Sequence, residues 1–287
     1  LIKAPGTLSF VGTMNRFLLI FAVLGCSFVA NAQSAPLPAA SVDWPKMDGT
    51  WVMELVSLSD TPVPIVEKVT ARTFSLALVD VEQEGANLIF REKVCRLDTQ
   101  LEISVVQMTP SKNFTKALSG KVRTARLVKN KQSEIELVID SRTIVHSARL
   151  QDKEREPLPT KPDDPRVLDG DLDGHPGMTM KFSGLVIGEA YVVQRTKSRM
   201  RGKMMSGHLF QGPMYWETEQ VVIDVSNPFL RFAPKPKAGV GRNDSFFVLR
   251  RAENKPTCDD ISYSKQVQLM VENPEQNLEQ NLEQKPN

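Results

Sequence analysis

Apolar and polar residues alternate over short runs along most of the chain. In Leu101–Val105, Glu134–Ile139 and Met178–Phe182, apolar residues recur at every second position. A period of two predicts half-buried antiparallel strands, and no long run has the period of an α-helix. Short helices are predicted only at Lys112–Leu118 and Ser262–Val271. Further strands are predicted at Thr50–Leu58, Arg72–Glu82, Ala86–Cys95, Val122–Lys129, Glu189–Lys197, Glu217–Val225 and Ser245–Arg250.

So many strands without intervening long helices predict an all-β fold, either an antiparallel β-barrel or a barrel-like sandwich. The charged stretch Gln151–Pro165 holds four prolines and begins a long acidic, Pro-rich surface loop at 151–177. It separates residues 46–150 from 166–262, which form either two β-domains or two halves of one barrel. We favour a single barrel domain at 46–262, with loop 151–177 gating its mouth.

The segments outside this domain have a different composition. Residues 33–45 are rich in Pro and Ala and are expected to be a disordered lead-in. Residues 263–287 are predominantly polar, with a repeated Glu–Gln–Asn–Leu sequence, and are expected to be a disordered tail.

The first 32 residues predict export. An apolar run, Phe17–Gly25, follows Arg16, and the small residues Ala30–Asn31–Ala32 form a cleavage site before Gln33. This is the order of a signal peptide, with Met14 as the expected start and residues 1–13 as an upstream extension. Alternatively, Leu24–Gly25–Cys26 resembles a lipobox, and Cys26 would anchor a lipoprotein. Both interpretations place the mature chain beyond the inner membrane, in the periplasm, the envelope or the medium.

Composition and charge narrow the function classes. The 287 residues are 41% apolar and 24% charged, as in a globular protein. Residues 1–32 contain Lys3 and Arg16 and no Asp or Glu, so the remainder carries 36 − 2 = 34 basic residues against 34 acidic ones. This balance gives no reason to expect a nucleic-acid partner.

Cysteine usage agrees with export. Once Cys26 is removed with the signal peptide, Cys95 and Cys258 remain as an even pair, which predicts a disulfide in an oxidising compartment. Two separately buried thiols are the alternative. The bridge would join the two halves of the chain.

One acidic turn is a candidate metal site. Asp169, Asp171 and Asp173 recur at every second position and are followed by Gly174, as at the start of an EF-hand calcium loop. The twelfth position of the pattern is Met180 instead of Glu, so Asp163, Asp164 or backbone carbonyls would have to complete the site. We expect calcium, in a stabilising role, or an acidic turn that binds no metal.

A basic stripe is predicted on one strand. Every second residue of the run is a cation, so all five would lie on one face. They would contact envelope lipids or acidic polymers, or form a solvated outer face that prevents edge pairing. The small residues of the other parity suit a loosely filled barrel interior. The stripe consists of Arg195, Lys197, Arg199, Arg201 and Lys203.

The two ends of the β-region resemble the lipocalins. Gly49–Thr50–Trp51 opens the first predicted strand, and Arg250 and Arg251 end the last one. The resemblance implies a lipocalin-like barrel in which Gly49, Trp51 and Arg250 pack together at the closed end, the arginine over the indole. It also implies a cavity for a small apolar or amphipathic ligand.

A second resemblance covers about 30 residues. Asp164–Val167, Asp171–Gly177 and Glu189–Arg195 are similar to segments of secreted β-rich proteins from myxobacteria-like Gram-negative bacteria. It implies an envelope or periplasmic location and brings no activity with it.

Catalytic patterns are absent from the sequence. His146, His175 and His208 have no zinc-site spacing, and no nucleophile elbow, P-loop or dinucleotide-binding motif occurs. We therefore expect a protein that is not an enzyme and binds a small ligand in its barrel. The alternative is a structural or surface-interaction protein with a calcium-stabilised loop and a basic face. The oligomeric state stays open.

Overall fold

In the computed structural model, the described residues are 43–63, 67–102, 106–110, 112–232, 237–238 and 245–272, and all of them belong to one compact unit. The expected signal peptide, Cys26, most of the lead-in and residues 273–287 lie outside the described residues.

The fold consists mostly of antiparallel strands, which confirms the all-β prediction. Both predicted helices are present, and neither they nor any other described helix is long and apolar enough to cross a bilayer. The strands are β1 (Gly49–Val63), β2 (Glu67–Glu84), β3 (Asn87–Leu101), β4 (Val106–Pro110), β5 (Lys121–Lys129), β6 (Ile135–His146), β7 (Met178–Gly184), β8 (Gly188–Ser206), β9 (Leu209–Val225), β10 (Lys237–Ala238) and β11 (Phe246–Arg251). The helices are α1 (Lys112–Leu118) and α2 (Lys265–Glu272), with 3-10 turns at Pro228–Phe232 and Cys258–Asp260.

Eight of these strands close into an irregular ring. Neighbouring strands pair in the order β1, β2, β3, β5, β6, β8, β9 and β11, and β11 pairs with β1 again. The ring therefore follows the order of the chain, because each antiparallel strand returns directly beside the preceding one. Strands β4 and β7 extend the sheet from β8, and β10 pairs with the end of β1.

One end of the ring is filled by apolar side chains; we call it the apolar end. Gly202 and Gly212 face each other there, and a Cβ on Gly202 would lie 2.6 Å from the Phe247 ring and 2.9 Å from the backbone of Gln211. The small residues of β8 thus permit close packing, and the expected loose filling is wrong at this end. Its fully buried members include Met47, Trp51, Val79, Phe90, Leu137, Ile139, Phe210, Phe247 and Leu249.

The C-terminal segment covers the outer face of β1 and β2. Tyr263 and Val267 pack against Val52, Val56 and Phe74. The disulfide Cys95–Cys258 ties the segment to β3 across 163 residues, which confirms the predicted bridge. The domain therefore continues through α2, and the expectation that residues 263–272 belong to a disordered tail is wrong, because an apolar face of this segment is buried.

Loop 151–177 lies against the outside of the ring. Leu158 and the partly buried Val167 pack with Tyr191, Val193 and Ile223, whose side chains point outward from β8 and β9. The expectation that this loop gates a mouth is wrong for its buried part, because its apolar residues cover the barrel wall.

Candidate functional site

The predicted packing at the closed end occurs, but with a different arginine. The guanidinium of Arg251 lies 4.6 Å from the centre of the Trp51 ring and donates to the Asp48 carbonyl at 3.0 Å. Gly49 has φ +115°, and its Cβ position lies 3.4 Å from that guanidinium. Trp51 pairs directly with Arg251 in the ladder, so both point inward.

The assignment of Arg250 to this packing is wrong. Arg250 pairs with Val52 and points to the outer face. There its Nε donates to the buried Glu54 at 2.9 Å, and the same carboxylate accepts hydrogen bonds from the backbone and hydroxyl of Ser264. Arg250 therefore holds the C-terminal segment on the barrel.

The basic stripe lies on the outer face of β8, as its parity predicts, but each of its cations has a partner. Arg201 donates to Glu136 at 2.6 Å, and Arg199 lies 5.0 Å from the Tyr215 ring centre. The stripe is therefore largely neutralised. The remaining pairs are Arg195–Glu219, Lys197–Glu154 and Lys203–Glu134.

The three aspartates of the acidic turn lie together. One carboxylate oxygen from each of Asp169, Asp171 and Asp173 lies within 4.8 Å of the others, an arrangement that could bind a metal ion. The same carboxylates accept backbone hydrogen bonds within the turn, such as Gly174 to Asp169 at 2.9 Å and Thr179 to Asp171 at 3.1 Å. Asp164 is directed elsewhere and pairs with Arg166 at 2.7 Å.

Beyond the apolar end, the inward face of the ring changes character. Thr196 and Thr218 face each other across β8 and β9, and Gln194 donates to both hydroxyls at 2.9 Å. These side chains are only partly buried, like the inward-facing Trp216. A polar and partly exposed section of the inward face therefore adjoins the packed core.

Charged side chains lie at the boundary between the two sections. Lys121, Arg123 and Glu92 point inward from β5 and β3, and Arg142 and His146 point inward from β6. We call these five residues the interior charged cluster. Arg123 is only 8% exposed, whereas its neighbour Val122 is 43% exposed, the reverse of the usual preference.

The bonding of the cluster is incomplete. Arg123 Nε lies 3.0 Å from Glu92 Oε1, but these atoms are not aligned for a hydrogen bond, and Arg123 Nη2 donates to Ser198 at 2.9 Å. The Nη1 atoms of Arg123 and Arg142 are buried and have no hydrogen-bond partner among the described residues. Each buried polar atom left in this state costs about 1–3 kcal/mol, so such atoms call for a water or a ligand.

The electrostatics reflect this burial. Burial raises the pKa of Glu92, and the charges of Arg123 and Arg142 offset part of the rise. Burial, followed by the charge of Lys121, lowers the pKa of His146 to about 4, so His146 is neutral at pH 7. Burial and the nearby Arg142 and Lys153 lower the pKa of Lys121. The cluster thus contains three basic side chains, those of Lys121, Arg123 and Arg142, and a single carboxylate, that of Glu92.

The barrel wall is interrupted beside the cluster. Strands β5 and β6 pair from Lys129↔Ile135 to Ala125↔Ile139. Their ladder ends at Ala125↔Ile139, so residues 121–124 of β5 have no partner in β6. The register of β6 against β8 also shifts between Ile139 and Arg142. Because Lys121, Arg142 and His146 flank this separation and are partly exposed, the cluster is accessible from solvent.

The cluster was not predicted from the sequence. Strand β5 carries cations on both parities, with Lys121 and Arg123 on one and Arg126 on the other, so alternation does not reveal which face is buried. The structure places His175 against the Tyr191 ring at 4.5 Å and leaves His208 exposed, both apart from the cluster.

Comparisons with protein-family models, with curated proteins and with solved structures found no match. The function is therefore argued from the geometry of this chain.

Proposed function

We propose that this protein is an exported, non-catalytic binding protein whose barrel holds a small amphipathic ligand with an anionic group. The observation that carries the proposal is the interior charged cluster, in which two buried guanidinium nitrogens have no acceptor among the described residues. An anionic oxygen would supply that acceptor and balance the excess of basic side chains.

A purely structural role explains the cluster poorly. A buried ion pair adds little net stability compared with apolar residues of the same size, and an incompletely bonded one adds less. Buried, charge-coupled groups beside an opening are instead typical of binding sites. The partly exposed ring of Trp216 would contact the apolar part of the ligand, and the hydroxyls of Thr196 and Thr218 would contact its polar part.

The proposed location and architecture have separate support. The disulfide is consistent with an oxidising compartment outside the cytoplasm. The chain-ordered ring and the Arg251–Trp51 contact support a lipocalin-like barrel. The signal peptide predicted in residues 1–32 supports export.

The test begins with native mass spectrometry of the chain from Gln33 onward, to detect a copurified organic anion. Dodecanoate, dodecyl phosphate and neutral dodecanol then serve as probes in thermal unfolding. We expect both anions to stabilise the protein, by about 2.7 kcal/mol at roughly 100 times their Kd, and dodecanol to have a smaller effect.

Arg142→Met tests the site directly. Loss of one charge-assisted hydrogen bond should weaken dodecanoate binding at least tenfold, or by about 1.5–3 kcal/mol. Arg91→Met is the matched control, because Arg91 lies on the outer face of β3, paired with Glu82, and should leave binding unchanged. Equal stabilisation by dodecanol and dodecanoate, or unchanged binding by Arg142→Met, would contradict the proposal.

The acidic turn supports a second candidate, a structural protein with a calcium-stabilised loop. The convergence of Asp169, Asp171 and Asp173 favours it, and oxygen ligands of this kind suit calcium. Calcium should then raise the unfolding temperature and protect 151–177 from proteolysis, and Asp171→Asn should abolish both effects. Asp259→Asn is the control, because Asp259 is exposed and lies outside the loop. A chelator-insensitive unfolding curve would exclude this candidate.

A further inference from the structure

Three large apolar side chains are exposed together at one end of the molecule. Leu185 is 80% exposed and Ile187 71%, both in the turn between β7 and β8, and Phe229 in the 3-10 turn after β9 is 83% exposed. We call these three residues the apolar tip. Single exposed apolar residues are common, but a group on adjacent turns marks an interaction surface.

The two turns are held together by hydrogen bonds. The Asn227 side chain donates to the Ile187 carbonyl at 2.8 Å, and the Glu189 amide donates to the Ser226 hydroxyl at 2.7 Å. Leu230, which follows Phe229, is buried and anchors the second turn. The apolar tip is therefore a fixed feature of the surface.

The segment that contains Phe229 carries charges of one sign. Residues 182–188 carry no charged side chain, and residues 226–242 carry four cations and no carboxylate. Arg231 and Lys237, two of these four, are exposed. Among the described groups, Lys181 and Arg231 are paired with Glu189 and Asp224 at 3.3 and 3.7 Å, and Lys237 lies opposite Asp60 in the β1–β10 ladder. The excess of positive charge is therefore that of the sequence of residues 226–242.

We infer that the apolar tip inserts into the surface of a lipid bilayer with anionic headgroups. Apolar side chains next to cations are the combination that binds such interfaces, because the former enter the acyl boundary and the latter meet the headgroups. Side chains exposed by 71% or more lie in no groove, and a bilayer requires none. This inference is independent of the ligand proposed for the barrel.

The experiment is cosedimentation of the chain from Gln33 onward with vesicles of equimolar phosphatidylglycerol and phosphatidylcholine. Residues 1–32 are omitted because their apolar run would itself bind lipid. Wild type should sediment with these vesicles and more weakly with pure phosphatidylcholine. Replacing a tip residue by serine should weaken partition by roughly tenfold or more, since each buried large side chain contributes at least that factor.

The variants are Phe229→Ser and the double variant Leu185→Ser/Ile187→Ser. Met205→Ser is the matched control, because Met205 is 62% exposed at the opposite end of β8 and should leave partition unchanged. A tryptophan at position 229 should shift its emission to the blue on vesicles, and one at 205 should not. Unchanged thermal unfolding shows that the variants are folded.

Three outcomes would overturn the inference. The first is wild type that stays in solution with both kinds of vesicle. The second is equal binding by wild type and the tip variants. The third is a concentration-dependent dimer that Phe229→Ser abolishes, without vesicle binding, which would assign the tip to a contact between copies of the chain.

Discussion

The two sections of the barrel interior differ in how completely their buried side chains are packed and hydrogen-bonded. At the apolar end, Trp51, Phe210 and Phe247 are fully buried, and the Phe247 ring packs against Gly202. One layer further along, the same inward positions carry Glu92 and Arg123, whose polar groups are only partly bonded. The first section stabilises the fold, and the second retains unsatisfied groups at a cost that a binding role would explain.

The largest effect on stability is expected at the apolar end. Phe247→Ala should lower the free energy of unfolding by about 3–5 kcal/mol, because the surrounding ring cannot collapse onto the cavity. Trp216→Ala in the polar section should cost only about 2 kcal/mol, since that ring is already partly exposed. Urea unfolding of both variants measures the difference, and equal losses would contradict the division into two sections.

Breaking the buried ion pair should also be costly. Arg123→Met leaves Glu92 buried without its nearest cation and should lose about 3–5 kcal/mol. The double variant Arg123→Met/Glu92→Met should recover most of that loss, because neither charge then remains in the interior. A double-mutant cycle measured by urea unfolding tests this, and simple additivity of the two losses would contradict the proposed pairing.

Acid should destabilise the polar section through His146. Its pKa in the fold is about 4 against 6.5 in the unfolded chain, so the unfolded state binds the proton first as pH falls. The resulting stability is present above pH 6.5 and is lost towards pH 4, by up to about 3 kcal/mol. In the variant His146→Gln, the free energy of unfolding should depend less on pH in this window. The control variant His208→Gln retains His146 and should show the wild-type dependence.

The smallest effect is expected on the outer face of β8. Arg201→Gln should cost about 1 kcal/mol or less, because most of the arginine is exposed and its attraction to Glu136 is screened by solvent. Its binding to a heparin column should remain as weak as that of wild type. Strong retention of wild type on heparin would show that the paired cations still act as a polyanion surface.

The strands and the covalent frame were predictable from local patterns. Alternation located the strand of Met178–Phe182 and most of the others, and the helix Lys112–Leu118 has the predicted bounds. Parity alone placed Arg195 through Lys203 on one face. The pairing of Cys95 with Cys258 followed from their being the two cysteines left after the signal segment.

Contacts between distant segments were not predictable in this way. Arg250 and Arg251 are adjacent, and only the register of β11 against β1 decides that Arg251 covers Trp51 while Arg250 holds Glu54. Likewise, α2 is held by its packing against the outer face of β1 and β2. The polar composition of the tail does not reveal this contact.

The sequence by itself therefore determined the strand content, the pairing of the cysteines and the alternation of faces, because each depends on near neighbours or on simple counting. Tertiary structure alone decided which face is the interior. In β5 both parities carry cations, and closure of the ring buried Arg123 and exposed Val122. The interior charged cluster exists because three strands, β3, β5 and β6, bring these groups to one layer.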